Sequence, residues 1–274
     1  MRFLDRLAAG EFAVALEITP PQRHLPKVLL RRARLLGDAA DAVNVIQRPD
    51  RQSSLEASLE LLAAGIDPVW HLAARGETRA SVAAAAARAR DGGIAQVLCV
   101  AGDHAPAGEG PSLTVREAIA EVRAAHPGMT IGATLNQYAR DPATARRNLL
   151  PKLRAGASYV QTQPTFDVGA LERELAAVRA EAPGVTAIAM VMPLLSGEAG
   201  ERISRRLGLE LPGRLRDVLA AGDEHAAWGY FEGTLVRLRE SPAFQGVAIM
   251  TFEMDPPEAV GERIARALEA AGVR

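Results

Sequence analysis

Five polar residues stand where short apolar runs give way to loops. They are Glu17 in Ala15-Leu16-Glu17-Ile18-Thr19-Pro20-Pro21, His71 in Trp70-His71-Leu72, Asp103 in Val100-Ala101-Gly102-Asp103, Gln163 in Gln161-Thr162-Gln163, and Glu253 after Thr251-Phe252. A glutamate inside an apolar run is partly desolvated, which raises its pKa and equips it to deliver a proton. The same setting also suits a structural carboxylate tied to loop amides or an arginine. Asp103 follows a glycine, where the main chain can approach a flat ligand while the carboxylate accepts from an amino-pyrimidine edge; a helix N-cap or turn aspartate is the alternative. Gln163 carries a donor and an acceptor, which suits orientation of a heterocycle or carboxamide but not proton transfer. His71, a lone histidine in an apolar run, reads first as a satisfied core group.

Other chemistries lack their signatures. No G-x-G-x-x-G follows an apolar run and no Walker lysine motif is present, so neither a Rossmann-type site nor a P-loop is expected. The five histidines and single cysteine have no metal-ligand spacing, and no metal site is expected. Cys99, in the middle of an apolar run, reads as a buried small hydrophobe.

The elements that must position these residues follow from the rhythm of apolar runs. Strands are expected near Phe12–Ile18, Ala42–Ile46, Pro68–Leu72, Gln96–Ala101, Thr130–Leu135, Ser158–Thr162, Thr186–Met192 and Gly246–Phe252. Their nearly continuous Val/Ile/Leu/Ala content fits strands covered on both faces. Helical spacing fills the intervals, as in Ser53–Ala64, Glu77–Asp91, Thr114–His126, Pro142–Ala155 and Val168–Glu181, with glycines such as Gly65 and Gly156 at their ends. Eight strands in one unbroken βα alternation predict an α/β fold, a (β/α)8 TIM barrel forming a single domain over residues 1–274. An open doubly wound sheet is the rival. Ser196–Ser241 is longer than the other crossovers and predicts two or three extra helices before the last strand. Trp228, Tyr230 and Phe231 in that stretch read as core packing, or as an apolar face for a homo-oligomer contact.

Composition narrows the partners. Hydrophobic residues make up 48% of the 274 and charged residues 24%, a globular balance that excludes a disordered chain or a disulfide-stapled miniature. The formal net charge of −1 provides no whole-chain field for nucleic acid. No apolar stretch reaches the roughly 20 residues that span a bilayer, and Met1–Arg6 meets charge at once without an apolar signal region. A cytoplasmic protein with no membrane and no nucleic-acid partner is expected.

Taken in order, these motifs resemble those of the methylenetetrahydrofolate reductase family. Leu16-Glu17-Ile18-Thr19-Pro20-Pro21 is similar to its "FEFFPP"-type opening strand, Trp70-His71-Leu72 to "PHL", Val100-Ala101-Gly102-Asp103 to "LRGD", and Gly156 through Thr162-Gln163 and Phe166-Asp167 to "GAN…TQ…FD". The resemblance implies a barrel that reduces 5,10-methylenetetrahydrofolate to 5-methyltetrahydrofolate with NADH or NADPH, through bound FAD. It implies Glu17 as the acid that opens the methylene bridge, and Asp103, Gln163 and Thr19 as substrate contacts. His71, Gly102, Asp103, Asn44, Gln47, Asn148 and Lys152 fall to the cofactor. Some positions depart from the pattern: Ala101 stands where the family has arginine, and Asn44-Val45-Ile46-Gln47 replaces a "TYGA" turn. Each change weakens a flavin contact, so direct hydride transfer without flavin, or a non-catalytic pterin- or flavin-binding subunit, remain as alternatives.

Overall fold

Described in a computed structural model over residues 3–102, 112–139 and 141–274, the chain alternates strands and helices from end to end. The first half runs α1 (Phe3–Ala8), β1 (Ala13–Ile18), α2 (Pro26–Ala33), β2 (Ala42–Val45), α3 (Ser54–Ala63), β3 (Pro68–Ala73), α4 (Arg79–Asp91), β4 (Gln96–Val100) and α5 (Val115–Ala125). The second half runs β5 (Thr130–Leu135), α6 (Pro142–Arg154), β6 (Tyr159–Pro164), α7 (Val168–Glu181), β7 (Thr186–Val191), α8 (Gly197–Leu207), α9 (Gly213–Ala221), α10 (Glu224–Glu240), β8 (Gly246–Met250) and α11 (Glu258–Ala270). The strands pair in sequence order, all parallel, and β8 closes on β1. This is the expected (β/α)8 barrel. Asp103 lies outside the described residues.

Strand parity explains the division of the core. Outward residues of the strands, such as Val14, Leu16, Val43, Val97, Ile131, Val160 and Val247, join the inner faces of the helices in one large cluster. The alternate residues Ala13, Ala15, Ala42, Val69, Leu98, Tyr159, Ile188, Met190 and Ala248 fill the barrel interior. Phe3, 2% exposed, packs into this inner cluster from α1 and stops the end of the barrel where the strands begin. Several helices start on side-chain caps, Thr78 and Thr114 in reciprocal boxes with Ser81 and Glu117, and Asp141, Asp167, Ser196 and Asp223 singly.

Gly132 is required by packing. A Cβ there would lie 2.2 Å from the Tyr159 ring, so this strand must be bare for the inner tyrosine to fit. The inner layer is otherwise small on β1, β2 and β8, which lets long polar side chains meet above it.

The stretch before β8 carries three helices, α8, α9 and α10, whose apolar faces enclose Phe166, Met192 and Leu194 in a third cluster. Trp228 is buried and edge-on to Phe231 at 6.0 Å between ring centroids, and the Tyr230 hydroxyl donates to the Phe166 carbonyl at 2.7 Å. Trp228 and Phe231 are covered by their own chain, and Tyr230 is half-buried. The apolar face expected there for a second copy is therefore not exposed, and core packing is what the residues do.

Candidate functional site

At the C-terminal ends of the strands the barrel opens into a cavity of about 1140 Å³. Its lining includes Glu17 and Thr19 from β1 and its exit, Gln47 after β2, His71 of β3, Gly102 after β4, Asn148 and Lys152 of α6, Gln163 of β6, and Glu253 after β8. The cavity thus gathers eight of the ten residues assigned to a site by the sequence, together with Glu253; Asn44 is not in its lining, and Asp103 lies outside the described residues.

Glu17 lies at the floor. Parallel pairing sets it beside Asn44 on β2 and Met250 on β8, and its side chain is directed into the barrel. Gln161, from β6 on the other side of the interior, donates from Nε2 to Glu17 Oε2 at 3.2 Å. Asn44 Nδ2 donates to Gln161 Oε1 at 2.8 Å. Burial is the dominant influence on the carboxyl and pushes its pKa up to about 7; the donors Gln161 and Asn44 and the positive charge of Arg206 on α8 oppose that rise. Glu17 is therefore partly protonated at neutral pH, the condition for a group that gives up a proton and regains it from water.

Asn44, expected from the resemblance to touch a cofactor, is 1% exposed and does not line the cavity. It sits level with Glu17 across the β1–β2 pairing, and its amide is engaged by Gln161. Gln161 was missed by the sequence motifs. It stands two residues before Gln163, and period-two counting along the strand was the signal that could have found it.

The remaining lining divides by how its polar atoms are occupied. His71 Nε2 is buried without a partner, and burial pushes this imidazole down to about 3, so it stays neutral. Gln47 Oε1 accepts from both the amide and the hydroxyl of Ser54, at 2.9 and 2.8 Å, and so holds the start of α3. Lys152 is half-buried, with its pKa lowered by desolvation, and donates from Nζ to the Thr134 carbonyl at 3.1 Å. Gly102 has φ +86°, and a Cβ there would come within 3.1 Å of the Ala73 Cβ, which leaves bare backbone at the exit of β4.

At Gln163 the backbone is clasped from both sides by one side chain. Gln137 accepts from its N–H at 2.9 Å and donates to its carbonyl at 2.7 Å. Across the mouth, Arg32 is a further residue absent from the motifs. It pairs with Asp255 through Nε at 2.9 Å and through a second nitrogen, and donates from Nη1 to the Thr19 carbonyl at 2.7 Å. Among the described residues no group of three or more His, Cys, Asp or Glu is placed to hold a metal ion, and no helix is long and apolar enough to cross a membrane.

A closed parallel barrel with polar side chains gathered over one rim defines a (β/α)8 protein with an open, polar-lined cavity at the strand ends. The chain matches the methylenetetrahydrofolate reductase family model over residues 2–229, and it belongs to that family. Among solved structures it resembles an uncharacterized protein from Clostridium thermocellum that binds two copies of 5-methyl-5,6,7,8-tetrahydrofolic acid. The TM-score is 0.76 at 14% identity, covering 99% of this chain and 100% of that one. EDTA monooxygenase from Chelativorans sp. BNC1 superposes with a TM-score of 0.62 at 11% identity, covering 96% and 94% of the two chains. Riboflavin lyase, in a structure with modified FMN and substrate riboflavin, superposes at 0.60 and 11%, covering 96% and 92%. At these identities the likeness is one of fold. No curated protein matches the chain.

Proposed function

We propose that the protein reduces 5,10-methylenetetrahydrofolate to 5-methyltetrahydrofolate at the expense of NAD(P)H, with Glu17 as the proton donor. The observation that carries this reading is a carboxyl with a pKa of about 7 on the floor of a ligand-sized cavity in a barrel of the methylenetetrahydrofolate reductase family. Opening the five-membered methylene bridge needs a proton on the departing N10, and it leaves a cationic iminium at N5. Hydride addition to the methylene carbon then completes the methyl group. Glu17 supplies the proton in its neutral form, and its carboxylate then favours the nearby cation electrostatically.

The residues fit a flavin. His71 offers a neutral ring nitrogen without a partner, Gly102 offers bare backbone, and Asn148 and Lys152 supply polar and basic groups on the same wall. These four would hold it, and Gln163 would orient the folate. A bound flavin would accept hydride from NAD(P)H and return it to the folate. The apolar wall of Leu98, Val100, Met190 and Met250 excludes water from the reacting end.

One observation favours a second reading, in which NAD(P)H passes hydride directly. The Gln47 side-chain carbonyl, assigned to the cofactor, already accepts from both the amide and the hydroxyl of Ser54. The test is an absorbance spectrum of the purified protein followed by an anaerobic assay with methylenetetrahydrofolate and NAD(P)H. Yellow protein with turnover supports the flavin route, and colourless protein with turnover supports direct transfer. Glu17→Gln should retain folate binding and lose about 10²–10⁴-fold in turnover. Folate binding without turnover by the unaltered protein would leave a non-catalytic folate-binding role and overturn the proposal.

A further inference from the structure

We propose that Asn44 and Gln161 are positioning residues for Glu17, a directional pair of amides that keeps Oε2 an acceptor and confines the transferable proton to Oε1. The inference rests on Glu17 being the proton donor proposed above.

The argument begins with the amide facing the carboxyl. Gln161 Nε2, 3.2 Å from Oε2, carries only donors, so the oxygen opposite must present a lone pair. A proton on Oε2 would set O–H against N–H. The reverse arrangement, with the Gln161 carbonyl turned to Oε2, would accept the carboxyl proton and hold it in the floor, away from any ligand.

Asn44 decides between the two. Its Nδ2 donates to Gln161 Oε1 at 2.8 Å and is also a donor toward the Glu17 carboxyl. One NH₂ group has two hydrogens, so the bond to Gln161 leaves the second free to face the carboxyl. Turning both amides over would point the Asn44 carbonyl at the carboxyl it now supports. Asn44 and Gln161 are 1% and 3% exposed, so water offers neither an alternative partner. The bonds therefore run in one sense, from Asn44 through Gln161 to Oε2. They also receive the charge that forms on proton release with donors already in place, so little rearrangement accompanies the step.

Gln161→Met tests the pair, because it keeps the length of the side chain and removes its donor. The Glu17 carboxyl band is identified by infrared difference spectroscopy against Glu17→Gln and titrated in each protein. In Gln161→Met the midpoint should rise by about one pH unit, since a donor to the charged form is lost. The alkaline limb of kcat should move by the same amount, with KM for folate unchanged. Asn44→Ala provides a second, independent variant with a smaller shift in the same direction, and the two shifts should not add in the double variant. Unmoved midpoints in folded Gln161→Met and Asn44→Ala overturn the pair. The infrared titration requires no turnover. If the midpoints move but no folate is reduced, the positioning stands and the functional reading falls; if Glu17→Gln is inactive but the midpoints are fixed, the reverse holds.

Discussion

Arg32 and Asp255 join the two ends of the barrel's closing seam. The guanidinium takes both carboxylate oxygens of the loop after β8 and gives its third nitrogen to the Thr19 carbonyl, two residues beyond Glu17. Arg31 adds a further bond to the same carboxylate at 2.6 Å. The path of the chain leaving the acid is thereby fixed from a helix and from a loop.

Asp255→Ala should destabilise the fold by about 1–2 kcal/mol, because Arg32 is buried and loses its counterion while Asp255 itself is partly in solvent. The hydrogen bond from Arg32 holds the Asp255 carboxyl below the ordinary aspartate range. Its contribution is thus present above the unfolded value of about 3.9 and lost as pH falls through the lower native value. Urea unfolding from pH 7 to pH 3 should show the gap between wild type and variant narrowing toward the acid end.

Glu17→Gln should stabilise the protein at alkaline pH even as it removes activity. The native pKa of about 7 exceeds the unfolded value, so folding favours the protonated carboxyl. That stability is complete below about pH 4.3 and is lost as pH rises through 7, the loss levelling off at an upper estimate of about 4 kcal/mol by pH 8. Thermal melts of the two proteins should converge near pH 4 and separate above pH 7, with the variant melting higher. Equal melting temperatures at pH 8 would contradict a buried, ionising Glu17.

Tyr159 and Gly132 form a matched pair in the inner layer, and they should respond oppositely to change. Gly132→Ala places a methyl 2.2 Å from the tyrosine ring and should cost about 1–3 kcal/mol or more through overpacking. Tyr159→Phe removes a buried hydroxyl that has no partner and should be neutral or stabilising by up to about 1 kcal/mol. Chemical denaturation of the two single variants reads both effects.

Thr162→Val should cost about 1–3 kcal/mol with little change in volume. The Thr162 hydroxyl oxygen accepts from the buried Met190 N–H at 3.0 Å, and valine leaves that donor unmet. Amide exchange at Met190 should accelerate in the variant, whereas the outer helices should keep their protection.

The barrel was legible because its eight strands are apolar on both faces, a pattern set by burial and written continuously in the chain. Thr130–Leu135 matches its expectation end to end, and most other strand ends shift by one or two residues. Strand β6 was expected to end at Thr162 and runs to Pro164, since Gln161 and Gln163 make a buried strand look polar. Helices α1 and α2 went unanticipated; α1 is a single short stretch whose purpose exists only once the barrel end is there to be filled by Phe3. Glu17, His71 and Gln163 were found because each interrupts an apolar run or matches a family motif. Arg206 and the Arg32–Asp255 pair depend on how helices pack over the rim, and no spacing along the chain records that. The bond from Asn44 to Gln161 was unreadable for the same reason, since the two residues are 117 positions apart in the chain.

The slipped register of β6 against β7, between Gln161 and Pro164, separates two kinds of construction in one strand. Below it, main-chain pairing alone sets position; at the slip the Thr162 hydroxyl and the Gln137 carboxamide bond main-chain groups of Met190 and Gln163, and the ladder resumes at Thr165. The upper part of the strand is consequently held by side chains as well as by its ladder, so a replacement at Gln137 acts on the backbone of Gln163 while the pairing below the slip is kept.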